Sequence, residues 1–283
     1  MLLICDCGST KAEWVLLDGE DMVARFVTDG FNPNFCNTDT ITGIVNQSVR
    51  HVYDYQDVSD VFFYGSGCGS DSNRLRVMLI ISKIYKNAKI EVYPDTLGAC
   101  HALFGRNPGI ACILGTGSNA CLYDGENITQ SVVSLGFIIG DEGSGCHIGK
   151  HIVHDYFYKI MPEDLSVKFD EKYGLDRDTL LKRVYQGESP SKYLAEFARF
   201  AAENIDNKYI KDIVSGCFEE FLSSFRPITP IGFGQNDMGF VGSVAFAFSE
   251  ILLQVLANHN LRCEKILKNP MDGLVEYYKS FTV

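Results

Sequence analysis

Residues 2–7, 12–17 and 22–27 are short apolar-rich runs separated by tight turns, the pattern of three strands in an antiparallel meander. A loop from Thr28 to Thr38 carries Gly30, Asn32, Pro33 and Asn34. Residues 39–53 have helical spacing, with Ile41, Ile44, Val45, Val49 and Val52 on one face. Val61-Phe62-Phe63-Tyr64 reads as a buried strand ending in Gly65-Ser66-Gly67. A helix is expected over 72–85, with Leu75, Met78, Leu79 and Ser82 on one side. A strand at Ile90-Glu91-Val92-Tyr93 and a helix over 96–104 follow. Strands alternating with helices after a meander imply a mixed sheet flanked by helices, an α/β chain.

The pattern then begins again. Ile110-Ala111-Cys112-Ile113 opens a second set of hairpins that runs to about Val133. Gly136 to Gly149 is glycine-rich, and Lys150 to Phe225 is mainly helical, broken at Tyr173-Gly174 and at Gly187-Glu188-Ser189-Pro190. Gly239-Phe240-Val241-Gly242-Ser243 reads as a strand into a turn, 244–258 as an apolar helix, Arg262 to Leu267 as a last strand and 271–280 as a closing helix.

Two turns mark the repeat. Asp6-Cys7-Gly8-Ser9-Thr10-Lys11 follows Leu2-Leu3-Ile4, and Leu114-Gly115-Thr116-Gly117-Ser118-Asn119 follows the Ile110 run. Each leads to another strand and then to an Asp-Gly-Glu turn, at Asp18-Gly19-Glu20 and Asp124-Gly125-Glu126. Glycine lets a backbone approach a ligand closely, and successive amides with hydroxyls form a nest for anions. Two such turns in two similar halves suggest phosphates held between two lobes.

Length favours two domains: with 283 residues, 46% of them hydrophobic, the chain can form two cores. A net charge of −11 argues against nucleic acid as the main partner and leaves a nucleotide open. The ten cysteines show no Cys-x-x-Cys or Cys/His zinc spacing, and several lie in apolar runs. Reduced, buried thiols in a cytoplasmic protein are the expectation. Met1-Leu2-Leu3-Ile4 is too short for a signal sequence, and no run approaches a membrane span.

Several residues could carry chemistry. Asp6, at a strand end beside a nest, suits magnesium held through water, or it caps a turn. Asp95 follows Tyr93-Pro94 at another strand end. Open α/β sheets place ligands there, and such a carboxylate can accept the proton of a hydroxyl that attacks phosphorus, or it can cap a helix. Gly140-Asp141-Glu142-Gly143-Ser144-Gly145 sets two carboxylates among three glycines, as a hydroxyl clamp, a metal site or a solvated turn. Asn32 and Asn34 suit sugar hydroxyls or simply form a turn. His147 and His151 are one helical turn apart without a third ligand nearby in sequence, and His101 and His154 show no metal pattern. Trp14 reads as core of the first hairpin.

In this order, these motifs resemble the sugar-kinase, actin and Hsp70 superfamily, most of all the N-acetylglucosamine kinase and BadF/BadG-type ATPase family, over nearly the whole chain. The resemblance implies two ribonuclease-H-like lobes, the actin-like ATPase fold, with a cleft between them: residues 1–108 and 109–283. It implies phosphate motifs at Gly8, Ser9, Thr10 and Lys11 and at Gly115, Thr116 and Gly117. An adenosine motif is implied at Gly239-Phe240-Val241-Gly242-Ser243-Val244, with Gly242 and Ser243 at the nucleotide. By matching position, Asp95 resembles the catalytic base, Asn34 the sugar-binding asparagine, and Ser118, Asn119 and Asp141 residues around the amino sugar. Leu135 and Gly136 stand where the amino-sugar kinases have Trp-Gly, and the usual double glycine of the adenosine motif is missing.

The implied reaction is ATP-dependent phosphorylation, with Mg2+, of a hydroxyl, the 6-hydroxyl foremost, of N-acetylglucosamine or a relative. A cytoplasmic homodimer with a small-molecule substrate, and no nucleic-acid or membrane partner, is the accompanying expectation. The alternatives are an N-acetylmuramic acid kinase and an activator ATPase with an iron–sulfur cluster and a protein partner. The Gly-Gly-Gln-Asp stretch of such activators is absent after Asp95, where the chain reads Thr96-Leu97-Gly98-Ala99-Cys100. A third alternative is a non-catalytic sensor.

Overall fold

A computed structural model describes residues 1–52, 55–225 and 238–280. It divides into two compact units, Met1–Asn107 with Asn269–Val283, and Pro108–Lys268.

In the first unit, β1 (Leu2–Cys7), β2 (Lys11–Asp18) and β3 (Asp21–Asp29) form the meander. Then come α1 (Thr38–Val49), β4 (Asp60–Gly65), α2 (Asp71–Ile84), β5 (Lys89–Pro94) and α3 (Asp95–Phe104). The sheet runs β3-β2-β1-β4-β5, antiparallel through the meander and parallel from β1 to β5. In the second unit, β6 (Gly109–Leu114), β7 (Ser118–Tyr123) and β8 (Ile128–Ser131) are the hairpins. The helices α4 (Gly145–Phe157), α5 (Glu163–Tyr173), α6 (Arg177–Tyr185), α7 (Pro190–Glu196), α8 (Ala198–Glu203) and α9 (Lys208–Phe225) follow. The unit closes with β9 (Met238–Val241), α10 (Ser243–Ala247), α11 (Ser249–Asn258) and β10 (Cys263–Leu267). Its sheet, β10-β9-β6-β7-β8, repeats the first, with the meander antiparallel and β6, β9 and β10 parallel. The repeat of the two glycine turns is thus a repeat of topology: each turn joins the first and second strands of its sheet.

The last helix, α12 (Met271–Lys279), groups with the first unit, whereas the expected boundary at 108–109 assigns it to the second. Its contacts explain the grouping. Tyr278 hydrogen-bonds the Tyr64 hydroxyl at 2.6 Å, and Tyr64 bonds His101 Nδ1 at 2.8 Å. Gly273 lies so close to α3 that a Cβ would stand 2.4 Å from the Ala102 carbonyl. Burial holds the His101 pKa down to about 4, so the ring stays neutral in this network.

The first core gathers Leu3, Trp14, Phe31, Phe63 and Val77 from strands, loop and helices. Trp14 is fully buried, and its Nε1 donates to Thr28 Oγ1 at 2.9 Å, which satisfies the one polar atom of the ring. On α2 the buried side is Val77, Ile80 and Ile81; of the expected apolar side, Leu75 and Leu79 are 52% and 51% exposed, while Met78 packs half-buried against the core. The helix has two overlapping apolar stripes, and the β-branched one packs inward. The expected apolar helix over 244–258 is two helices separated at Phe248, itself buried. All ten cysteines are free thiols, with Cys36 and Cys263 half-buried and the rest buried. Among the described residues no helix is long and apolar enough to cross a membrane.

One backbone crossing sets the first glycine turn. The Gly8 amide donates to the Lys11 carbonyl at 3.0 Å, and the Gly30 amide donates to the Thr10 carbonyl at 3.1 Å. A Cβ on Gly30 would lie 2.1 Å from the Gly8 carbonyl oxygen and 2.5 Å from the Lys11 nitrogen. Both obstacles are backbone, so the strand end or the turn must move. Gly30→Ala is therefore expected to destabilise the protein by at least about 1–3 kcal/mol, the usual range for overpacking. Urea unfolding checks this, and an unchanged midpoint would show that the turn yields freely.

Candidate active site

In the first unit the candidate carboxylates meet at the C-terminal edge of the parallel strands. Asp6 is laterally paired with Tyr64 on β4, which is paired with Tyr93 on β5, and Asp95 follows one residue beyond Pro94. Paired residues of adjacent strands point to the same face, which places Asp6 on the face that α3 covers through Gly98 and Tyr64. Asp95 opens α3 without capping it: Pro94 is the cap residue and makes no side-chain bond. Its Oδ1 accepts the Thr96 amide at 2.9 Å, and the Ser66 hydroxyl also donates to this carboxylate. Burial nevertheless raises the Asp95 pKa above the ordinary carboxylate range.

Asp6 is half-buried, and its pKa is pushed up to about 7, first by desolvation and then by the charges of Asp95 and Glu13. Lys11 opposes this and does not offset it. Two carboxylates at one strand edge, each penalised for carrying charge, form a donor set of hard oxygens that fits magnesium. Ser9, Thr10 and Lys11 beside them are exposed.

Asn34 lies on the same unit in an exposed loop. Asn32 Oδ1 accepts the Asn34 amide at 3.0 Å, and Asn34 Oδ1 accepts from Asn73 Nδ2 at 2.7 Å. Arg76 ties the loop down through the Pro33 carbonyl at 2.9 Å and the Cys36 carbonyl at 2.7 Å. Gly67, at φ +78°, lets Asn32 Oδ1 approach to where a Cβ would stand only 2.1 Å away.

In the second unit three segments converge on the other glycine turn. The Gly115 amide donates to the Gly117 carbonyl at 3.0 Å. The first amides of α4 donate back to the turn, Gly145 to the Gly115 carbonyl at 2.8 Å and Cys146 to that of Thr116 at 3.1 Å. Asp141 Oδ1 accepts the Ser118 amide at 3.2 Å, and a Cβ on Gly117 would lie 3.0 Å from the Asp141 carboxylate. Asp141 itself has φ +61°, a strained value for a non-glycine residue that the turn imposes. Burial raises its pKa, and the Ser118 amide and Lys150 pull it back. Gly242 closes the third side: at φ +134° its missing Cβ would stand 2.1 Å from the Leu114 carbonyl. Ser243 is exposed beside it, and Asn119 turns its Oδ1 onto the Ala120 amide at 2.8 Å.

Leu135 and Gly136 sit in the loop before Asp141, with Leu135 57% exposed and Gly136 at φ +73°. Leu135 packs against Gly140, where a Cβ would meet its own Cβ at 3.2 Å. Sequence reading gives no role to three residues: Ser66, which donates to Asp95; Gly30, which presses on the first turn; and Asn73, which holds Asn34. Ser66 was findable, because Gly65-Ser66-Gly67 follows an apolar strand as the two assigned turns do. Gly30 and Asn73 carry no local signal, since their partners are distant in the chain.

No family model matches this chain, and no curated protein matches it. Solved structures do. A candidate N-acetylglucosamine kinase from Porphyromonas gingivalis is 35% identical over 100% of both chains, with a TM-score of 0.91. A candidate N-acetylglucosamine kinase from Chromobacterium violaceum shares the fold, at 14% identity, 98% coverage of both chains and a TM-score of 0.65. So does component A of the (R)-2-hydroxyglutaryl-CoA dehydratase of Acidaminococcus fermentans, at 13% identity over 99% of this chain and 98% of that one, with a TM-score of 0.52. With full-length identity of 35%, this chain belongs to the N-acetylglucosamine kinase family to which the Porphyromonas gingivalis protein is assigned.

Proposed function

We propose that the protein is a kinase that transfers the γ-phosphoryl group of ATP to a hydroxyl, the 6-hydroxyl foremost, of N-acetylglucosamine or a related amino sugar. The observation that carries the reading is the placing of Asp6 and Asp95 at one strand edge, close enough for the charge of Asp95 to raise the Asp6 pKa, beside a glycine–hydroxyl turn and with a Ser66 bond to Asp95. Family membership supports it.

In this reading Asp95 accepts the sugar hydroxyl proton as that oxygen bonds to the γ-phosphorus. The bond from the γ-phosphorus to the bridging oxygen breaks, and ADP leaves. The Ser66 and Thr96 bonds fix the carboxylate in place for the hydroxyl. Asp6 would hold magnesium, through water, and the ion supplies charge neutralisation at the phosphates. Ser9, Thr10 and Lys11, and Thr116 with the Gly115 and Gly117 backbone, are proposed as phosphate contacts. Gly242 and Ser243 are assigned to the adenosine, and Asn34, Ser118, Asn119, Leu135, Gly136 and Asp141 to the sugar.

The test is ADP release from Mg-ATP against N-acetylglucosamine, N-acetylmuramic acid, N-acetylmannosamine, glucosamine, glucose and no sugar. Turnover is expected with an N-acetylated sugar, at least about tenfold above glucose, which lacks the acetamido contact. ADP release that ignores every sugar would replace this reading with a coupled ATPase, and no release at all would leave a sensor.

A further inference from the structure

Sequence alone gives His147 and His151 no third ligand. The fold brings one from 66 positions further along: Cys217, on α9. One ligand atom from each of these three side chains lies within 4.8 Å of the others. The two imidazoles meet edge to face with centroids 4.9 Å apart. Glu220, one helical turn beyond Cys217, brings its carboxylate to 3.5 Å from His147 Nε2. Two ligands at i and i+4 on α4 thus face two at i and i+3 on α9.

We propose that His147, His151, Cys217 and Glu220 form a zinc site on the α4–α9 pair. Nitrogen, sulfur and carboxylate oxygen together suit a borderline divalent ion. Zinc–nitrogen and zinc–sulfur bonds of roughly 2.1 and 2.3 Å put ligand atoms about 3.5 Å apart in a tetrahedron, so small side-chain rotations bring His147, His151 and Cys217 onto one ion. Three ligands are held by the helix pair, with His147 and Cys217 buried, His151 half-buried and Glu220 exposed. The exposed carboxylate gives an ion a way in and can swing to complete the shell. Lys150, the nearby cation, keeps its ammonium on the Phe137 carbonyl at 2.8 Å.

One contact opposes loading. His147 Nδ1 accepts the Gly143 amide at 3.1 Å. Zinc on Nε2 moves the ring proton to Nδ1, and that hydrogen bond is lost. The site is therefore weaker than one whose tautomer is already set. The same contact links it to the turn that carries Asp141, two residues before Gly143.

Cobalt titration of the reduced, metal-stripped full chain tests the site without nucleotide or sugar, so its outcome is independent of the kinase reading. One Co2+ per chain is expected, with a thiolate-to-metal absorption band that zinc abolishes by displacement. Cys217→Ala removes the band, and His151→Asn weakens binding by more than the roughly 10–100-fold typical of outer-shell partners. Absence of a thiolate band in the wild type, or its survival in Cys217→Ala, overturns the proposal. If Cys217→Ala does not fold, unchanged affinity in His151→Asn, altered at a half-buried position, does the same.

Discussion

Asp95→Asn will lower kcat by about 10²–10⁴-fold, the usual worth of a positioned general base. The amide keeps the shape of the carboxylate and an oxygen for the Thr96 donor. What it loses is the ability to take a proton. The KM for the sugar should stay within about threefold, because the lost interaction forms only in the transition state. The pH profile gives a second readout. Burial raises the Asp95 pKa, so the acidic limb of wild-type kcat/KM should lie above the ordinary carboxylate range, and Asn should flatten it. Stability provides the control. A buried carboxylate with a raised pKa is penalised for ionising, so the neutral amide should not lower the melting temperature at pH 8. A folded variant with unchanged turnover would remove Asp95 as the base.

The sheets were legible because their signals are local. β1, β2 and β3 lie within a few residues of the runs at 2–7, 12–17 and 22–27, and the Asp18-Gly19 turn places Gly19 at φ +59° as such turns require. The two glycine turns and the proposed base Asp95 stand out for the same reason: glycines and carboxylates at the ends of apolar strands. What failed depends on distance. α12 folds onto α3 and β4 through Gly273 and Tyr278, and nothing in its own residues names the unit it joins. α2 offered two stripes, Leu75 with Leu79 and Val77 with Ile81, and only the packing partner chooses between them. His147 and Cys217 meet only because α4 packs on α9. Asp141 was singled out by the glycines around it, but its left-handed backbone and its bond to the Ser118 amide belong to the folded turn alone.

Asp6→Asn is expected to stabilise the protein and disable it. In the fold the carboxyl titrates near 7, against about 3.8 for an unperturbed group. Between those values the folded state holds a proton that the unfolded chain has released. Stability from this site is therefore complete below about pH 4, falls as pH rises and is gone once pH passes 7. The variant lacks this loss. Its melting temperature should exceed that of the wild type by little at pH 4 and by a margin that grows to a plateau above pH 7. Each pKa unit corresponds to about 1.4 kcal/mol, and Asp95 shares the shift, so a gain of about 1–3 kcal/mol is a fair expectation. In a chain of this size that is roughly 2–4 °C per kcal/mol. Comparing variant with wild type at each pH cancels the other titrating groups. Magnesium separates function from stability. It should raise the wild-type melting temperature at pH 8, because it favours the ionised carboxylate, and should leave the variant unmoved. Turnover should fall together with the response to magnesium. A variant less stable than wild type at pH 8 would mean that Asp6 is satisfied within the fold. The strain would then vanish, and with it the physical case that this carboxylate is held ready for a metal ion.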